Sequence, residues 1–458
     1  MNNTRYRSTT SLSHLDQQPR KAELSSGTKI VLLLLAHIPL AFLLRSVQLF
    51  ATLHALFTML IGVWIAITSD DIKKVVPIVA YITGAEVLWR MTDANVFWEF
   101  GKYATVAILV IALLKRRKFE KASLPILYFF LLLPSIILTV NAFGFSTATR
   151  NAISFNLSGP LAVMMCMLFF RLIKTSVSEI GSLMWWAVYP ILSMLTLASY
   201  STLTTTTIRF GTVSVLAASG GFGPNQVSGI LGLGAMLLIM LAIHEENRNT
   251  RNLALILSIA LLVQSVLTFS RGGIANVFVA LPLAFVHLLG SPKKFIKGLF
   301  VVLLITTLAY FFLIPQLQNF TGGSLEARFT DLRMSGREDI ARADIELWLN
   351  NPILGVGPGI STRQRIFLQG QAAHTEYTRI LAEHGFLGLL SLLCLGSLLF
   401  GAYLKAPDAY SRAWIVALAA WPVAHMAHSA MRVVSISFLL GLALVSWEET
   451  EHDDAFSH

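Results

Sequence analysis

The chain has 458 residues, 55% of them hydrophobic and only 13% charged. No soluble domain of that length has an interior able to hide so much apolar sequence, so repeated apolar stretches near twenty residues describe a polytopic helical membrane protein. The net charge of +10 would suit nucleic acid, but its placement excludes such a partner. Lys and Arg gather in short links between apolar runs, the positive-inside mark of cytoplasmic loops.

Residues 1–29 are polar and basic and read as a cytoplasmic tail. No small-residue cleavage site separates the first two apolar runs, so no cleaved signal peptide is expected. Apolar spans follow at 30–47, 50–68, 75–92, 96–114, 123–141, 157–173, 180–199, 226–243, 252–269, 273–289 and 297–315. A polar insert occupies 316–384, then come spans at 385–404, 413–428 and 432–447 and a second tail at 448–458. The sequence thus predicts an all-α membrane protein of about 12–14 transmembrane helices, about eleven of them within 30–315 and about three within 385–447, with one large loop bearing short amphipathic helices. With the N-terminus inside, the links at Lys73-Lys74, Lys115 to Lys118, Arg171 to Lys174, Arg248 to Arg251 and Lys293 to Lys297 all fall on the cytoplasmic side. The insert then falls outside. Cys166 and Cys394 lie inside apolar runs and read as small core residues.

By this topology Lys102 is the one outer lysine, and the outer cations are almost all arginine, including Arg45, Arg90, Arg209, Arg271, Arg337 and Arg432. Arginine presents a planar fork that grips phosphate through two bonds. The competing reading is that these arginines balance loop carboxylates. Glu86 and Arg90, four residues apart, are expected to neutralise each other within the bundle.

Three outer segments could carry chemistry. In the first, Arg209 precedes Gly220-Gly221-Phe222-Gly223-Pro224-Asn225. Asn225 stands where the N-cap of the eighth helix is expected, and a helix N-terminus can hold a phosphate. A plain loop-to-helix junction explains the same residues. The second, Ser270-Arg271-Gly272-Gly273, sets a charge beside glycines that let a head group approach the backbone; a structural turn competes. The third is the insert. Ser335 and Glu338 form a capping-box pattern, so a helix is expected from Gly336, past Trp348, to a stop before Pro352. Gly355-Val356-Gly357-Pro358-Gly359 is a turn able to bring backbone close to a substrate. A second helix is expected over 372–384, with His374, Tyr377 or Thr378, and Leu381 on one face and Glu376 and Glu383 off it. Imidazole titrates near neutrality and can take a hydroxyl proton, although a lone helical histidine is more often structural. His425, His428 and Arg432 follow an i, i+3, i+7 pattern on another helix and either line the same cavity or pack between helices.

No Walker A loop, HExxH, Gly-x-Ser-x-Gly or outward Asp-x-Asp pair is present. A mechanism without metal or cofactor is expected.

Arg209 with Phe222 to Asn225, Ser270 to Gly273, Gly336-Arg337, Pro352 with Gly355 to Gly357, and His374 to Gly385 together resemble the O-antigen ligase/polymerase superfamily, in the family's order and over roughly residues 200–400. The resemblance implies a bacterial inner-membrane glycosyltransferase with its site on the periplasmic side. It would move a glycan from undecaprenyl pyrophosphate to an acceptor hydroxyl on lipid A-core or on another lipid-linked glycan, with inversion. It further implies that Arg271 and Arg337 bind the donor pyrophosphate, that Arg209 assists, and that His374 deprotonates the acceptor. Asn225, Gly357, Tyr377, His428 and Arg432 are expected to line the site. Ligase, polymerase and protein glycosylation share these motifs. A lipid-linked-sugar transporter would instead place its charges near mid-membrane in repeated halves, which this sequence does not show.

Overall fold

A computed structural model describes residues 25–116, 122–206, 208–290, 296, 307, 309–330, 337–365 and 373–448. Among the described residues the fold is all-α apart from a two-residue parallel pairing of Lys174–Thr175 with Ser446–Trp447. The bundle begins with α1 (Ser26–Ser46), α2 (Gln48–Thr68), α3 (Val76–Met91) and α4 (Phe100–Arg116). It continues through α5 (Ser123–Phe130), α6 (Ile136–Phe143), α7 (Thr147–Phe170) and α8 (Val177–Thr204) to α9 (Pro224–His244), α10 (Arg248–Leu267) and α11 (Arg271–Leu288). The insert holds α12 (Ile314–Phe320), α13 (Ser324–Thr330), α14 (Arg337–Asn350) and α15 (Ile360–Gln364). The chain then returns through α16 (Glu376–Leu404), α17 (Ala409–Met426) and α18 (Val434–Leu442).

Among the described residues, eight helices are long and apolar enough to cross a membrane: α1, α2, α7, α8, α9, α10, α11 and α16. This is a polytopic membrane protein. Large apolar side chains stay exposed on α1, α2, α10, α11 and α16, as a lipid-facing surface requires, whereas α9 and α18 lie at the centre of the bundle. Most of the span expected at 297–315, and Ser335 and Gly336 of the capping box, lie outside the described residues.

Two expected spans take other forms. The run 123–141 is not one helix but two of eight residues each, α5 and α6, parted by a turn at 131–135. Pro134 has no N–H and crowds Leu133, and the turn closes with tighter bonds such as Ile136 N to Leu133 O at 3.0 Å. The run 432–447 shortens to the nine residues of α18. Its first N–H, on Val434, donates to Glu86 Oε2 at 2.6 Å, a carboxylate at the positive end of a helix.

Close packing of α9 on α11 sets the floor of the site. A Cβ on Gly232 would lie 2.5 Å from Gly273 O, and one on Gly273 would run into Ser228 O. Gly273→Val therefore forces these two backbones apart. Overpacking of this kind costs roughly 1–3 kcal/mol, so a lowered melting temperature in detergent is expected; an unchanged one would show that the helices can separate freely.

At one end of the bundle lie the Lys73–Glu179 and Lys115–Asp70 ion pairs, at 3.3 and 3.0 Å. The insert and the α17–α18 turn occupy the other end. The split matches the charge asymmetry of the sequence.

Candidate functional site

The insert is fastened to the bundle by an accounting of backbone bonds. Gly385 interrupts α16 with φ 59° and ψ −138°, so the carbonyls of Ala382 and Glu383 lose their helical donors. The glycine turn supplies replacements: Val356 N donates to Ala382 O at 2.8 Å and Gly357 N to Glu383 O at 3.0 Å. Phe386 N in turn donates to Pro352 O at 2.7 Å. The carbonyls of Ala382 and Glu383 and the N–H of Phe386 thereby find partners. Gly357, with φ +98°, sits where a Cβ would come within 2.8 Å of Thr139 Oγ1, and that hydroxyl donates to Pro358 O at 3.0 Å. The turn is thus seated against α6. The glycines expected to admit a substrate instead admit the protein's own atoms, backbone at Gly355 and chiefly side chains at Gly357 and Gly359.

Below this seam lies an ion cluster that sequence reading had set aside. Arg379 bridges Glu376 and Glu383, and all three side chains are buried. Glu383 also accepts from Gly359 N at 2.9 Å and Ser361 Oγ at 3.1 Å, and Glu376 accepts from Met431 N at 3.0 Å. A second buried pair, Arg365–Asp344, ties α15 to α14, and Thr378 Oγ1 donates to Asp344 at 3.1 Å. The spacing of Glu376, Arg379 and Glu383, i, i+3 and i+7, marks one helical face and was the available signal. Their partners on α7, α15 and the α17–α18 turn left none.

His374 does not stand on a helix. It lies at a bend in the non-helical segment Ala373–Thr375; the expected helix over 372–384 forms only from Glu376, reaches the break at Gly385, and leaves His374 off the face of Tyr377, Thr378 and Leu381. Thr375, with φ −122° and ψ 133°, is the N-cap. The Arg432 guanidinium donates to Ala373 O at 2.8 Å and holds this segment. Burial, then the charges of Arg337, Arg432 and Arg365, press the His374 pKa down to about 4. Its ring is therefore neutral at pH 7. Arg337, first residue of α14, is half-buried, and its pKa is lowered by burial and then by the like charge of Arg271, the first residue of α11. Arg337 likewise presses on His428, whose pKa burial already lowers, to about 4 in total. His428 packs on Gly272, where a Cβ would lie 2.5 Å from its Cε1. Arg271, Arg337, His374, His428 and Arg432 accordingly gather at one end of the bundle.

The other expected site residues are placed differently. Asn225 is not an N-cap: Gly223 is, with Pro224 next, because a fixed φ and a missing N–H suit the first helical turn. Asn225 Oδ1 accepts from Ser270 Oγ at 2.8 Å, beside Arg271. Tyr377 donates to Val423 O at 2.9 Å and joins α16 to α17. Arg209 is exposed on the loop after α8, next to Phe210, whose carbonyl accepts from Ser324 Oγ of α13 at 3.0 Å. His425, His428 and Arg432 do not share a helix, since α17 ends at Met426. Asn276 joins the two histidines, at 2.9 Å to His425 Nδ1 and 2.8 Å to His428 Nε2. Glu86 and Arg90 pair at 2.8 Å, both buried, and Arg90 reaches on to Arg432 O at 3.1 Å. Lys102, the expected outer lysine, is buried and donates to Met431 O at 3.4 Å.

Residues 256–393 match the family described as O-antigen ligase. The match bears out the resemblance drawn from the motifs. It runs from α10 into α16 and contains Arg271, Arg337, Gly357, His374 and Tyr377. Arg209, Asn225, His428 and Arg432 lie outside it. No curated protein matches the chain.

Proposed function

From the match of residues 256–393 to the O-antigen ligase family, we propose that the chain transfers a glycan from undecaprenyl pyrophosphate to an acceptor hydroxyl, ligase-like, with lipid A-core as the acceptor. The reaction takes place on the periplasmic side of the bacterial inner membrane, without metal. The observation that carries this reading is the meeting of Arg271 and Arg337 beside a neutral His374. Like charges held together favour an anion, and a neutral imidazole can accept a proton.

In this reading His374 takes the acceptor O–H proton, and the oxygen attacks the anomeric carbon from the face opposite the leaving group. The bond from that carbon to the phosphate oxygen breaks, and the electron pair leaves with undecaprenyl pyrophosphate. Arg271 and Arg337 stabilise the charge that develops there, in a preorganised field. The His374 proton then passes to solvent. The lipid anchor confines the donor beside the site and helps to align it.

The test is transfer from a purified undecaprenyl-pyrophosphate glycan by wild type and His374→Ala, with chelator present. Lipid A-core and a second lipid-linked glycan are offered separately. Transfer to lipid A-core by wild type alone is expected. Transfer only to the second glycan would make the protein a polymerase. Passage of the glycan lipid across liposomes without transfer would make it a transporter.

The field on His374 also predicts a pH signature. With its pKa near 4 in the free protein, His374 stays neutral at every pH above that, so kcat/KM should show no acid limb near the ordinary 6.5. A bound pyrophosphate offsets the Arg337 charge and raises the His374 pKa. The acid limb of kcat should therefore lie at higher pH than that of kcat/KM. Coincident limbs would remove His374 from the proton transfer.

A further inference from the structure

The end of the bundle opposite the insert carries a cleft of about 500 Å³ where α2, α4 and the link after α7 meet. Lys73, Lys115, Arg116 and Lys174 line it, together with Asp70 and Asp71. Both carboxylates are already engaged. Asp70 pairs with Lys115 at 3.0 Å, and Asp71 accepts from Lys73 N at 2.9 Å as the cap of the short turn that follows. Lys115 is further fixed by Ile67 O at 3.0 Å and Ser69 O at 2.8 Å. Lys73 leans to Glu179 at 3.3 Å. Among the described residues no carboxylate pairs with Arg116 or Lys174, and both side chains are exposed. The cleft is therefore net cationic.

Its flank is apolar. Trp64 and Ile67 on α2 and Leu114 on α4 are 64%, 58% and 60% exposed, and Ile67 and Leu114 adjoin the lysine that closes the cleft. A basic recess directly beneath a lipid-facing wall has the shape of an anionic phospholipid: phosphate in the recess, acyl chains along the wall. A free anion would have no use for the wall.

We infer that this cleft binds the phosphodiester head group of an anionic phospholipid, with Lys73, Arg116 and Lys174 meeting the phosphate and α2 and α4 receiving the chains. The site is separate from the one that holds His374 and does not depend on the transfer reaction.

The test is native mass spectrometry of the delipidated full chain, titrated with phosphatidylglycerol, phosphatidylethanolamine, phosphatidylcholine or glycerol 3-phosphate. Phosphatidylglycerol is expected to give one retained adduct well before the others. Each removed charge weakens such binding about fivefold, so Lys73→Gln, Arg116→Gln and Lys174→Gln combined should weaken it roughly a hundredfold. Because Arg116 and Lys174 are exposed and Lys73 makes only a surface ion pair with Glu179, the melting temperature should stay close to that of wild type. Should it fall, Lys174→Gln alone, about fivefold weaker, takes the place of the triple variant. Equal retention of the zwitterionic lipids, or unchanged affinity in the variant, overturns the proposal. Binding of glycerol 3-phosphate as tight as that of the phospholipid overturns it too, in favour of a free-anion site.

Discussion

Arg337→Ala should lower kcat/KM for glycan transfer by about a hundred- to a thousandfold, the usual loss when one preorganised donor to a developing anion is removed, and should leave the melting temperature unchanged or slightly raised. The sign of the second effect follows from the geometry. Arg337 and Arg271 repel each other across a half-buried site, so the folded state is more stable without one of them. Arg337→Lys keeps the charge but not the fork and should recover only part of the rate. The same substitution to alanine removes the largest charge acting on His374, whose pKa should climb from about 4 toward 6.5, measurable by NMR of labelled histidine. A melting temperature that falls in step with activity would mean that Arg337 holds the fold and not the substrate.

Arg379→Met should be among the most destabilising single changes in the chain. It strands Glu376 and Glu383, 0% and 1% exposed, without their shared cation, and breaking a buried pair in this way costs roughly 3–5 kcal/mol. Thermal unfolding in detergent reads the loss. Neutralising both partners as well, Glu376→Gln with Glu383→Gln, should restore much of the stability, because the net cost of burial falls with the charges. If the single variant melted like wild type, water would have to reach the cluster. Since Glu376 follows His374 by two residues and holds the 431 turn, activity should fall with stability here, in contrast to Arg337.

Hydropathy exposed most of the bundle because membrane thickness sets the length of an apolar run and leaves few alternatives. It could not expose the break at Pro134, which sits inside an unbroken apolar run and differs from a kink only through its partners in the insert. The helix α14, ending before Pro352, was legible from local rules. The start of α16 was not: a periodic pattern continues upstream through His374, and only the extended backbone of Thr375 ends it. The individual site motifs were visible as arginine, glycine and histidine. Their roles were partly misjudged for one reason. Gly357 and Gly273 looked like openings for a ligand, and each is instead closed off by a segment more than forty residues away along the chain, Leu138 and Thr139 for the first and the Ser228 carbonyl for the second.

The turn between α5 and α6 bears on the order in which the protein is made. Each of these helices has eight residues, about 12 Å of rise against roughly 30 Å of hydrocarbon, so neither crosses alone. Ser135, at the turn, lies 2.6 Å from His384 Nδ1, and Thr139 bonds Pro358 O, partners 249 and 219 residues further along. The ribosome must therefore deliver the insert and the start of α16 before an early part of the chain can settle. Until then, residues 123–143 have to be shielded by the insertion machinery or rest at the bilayer surface. Biogenesis runs out of sequence order, with one of the first segments synthesised among the last to reach its place.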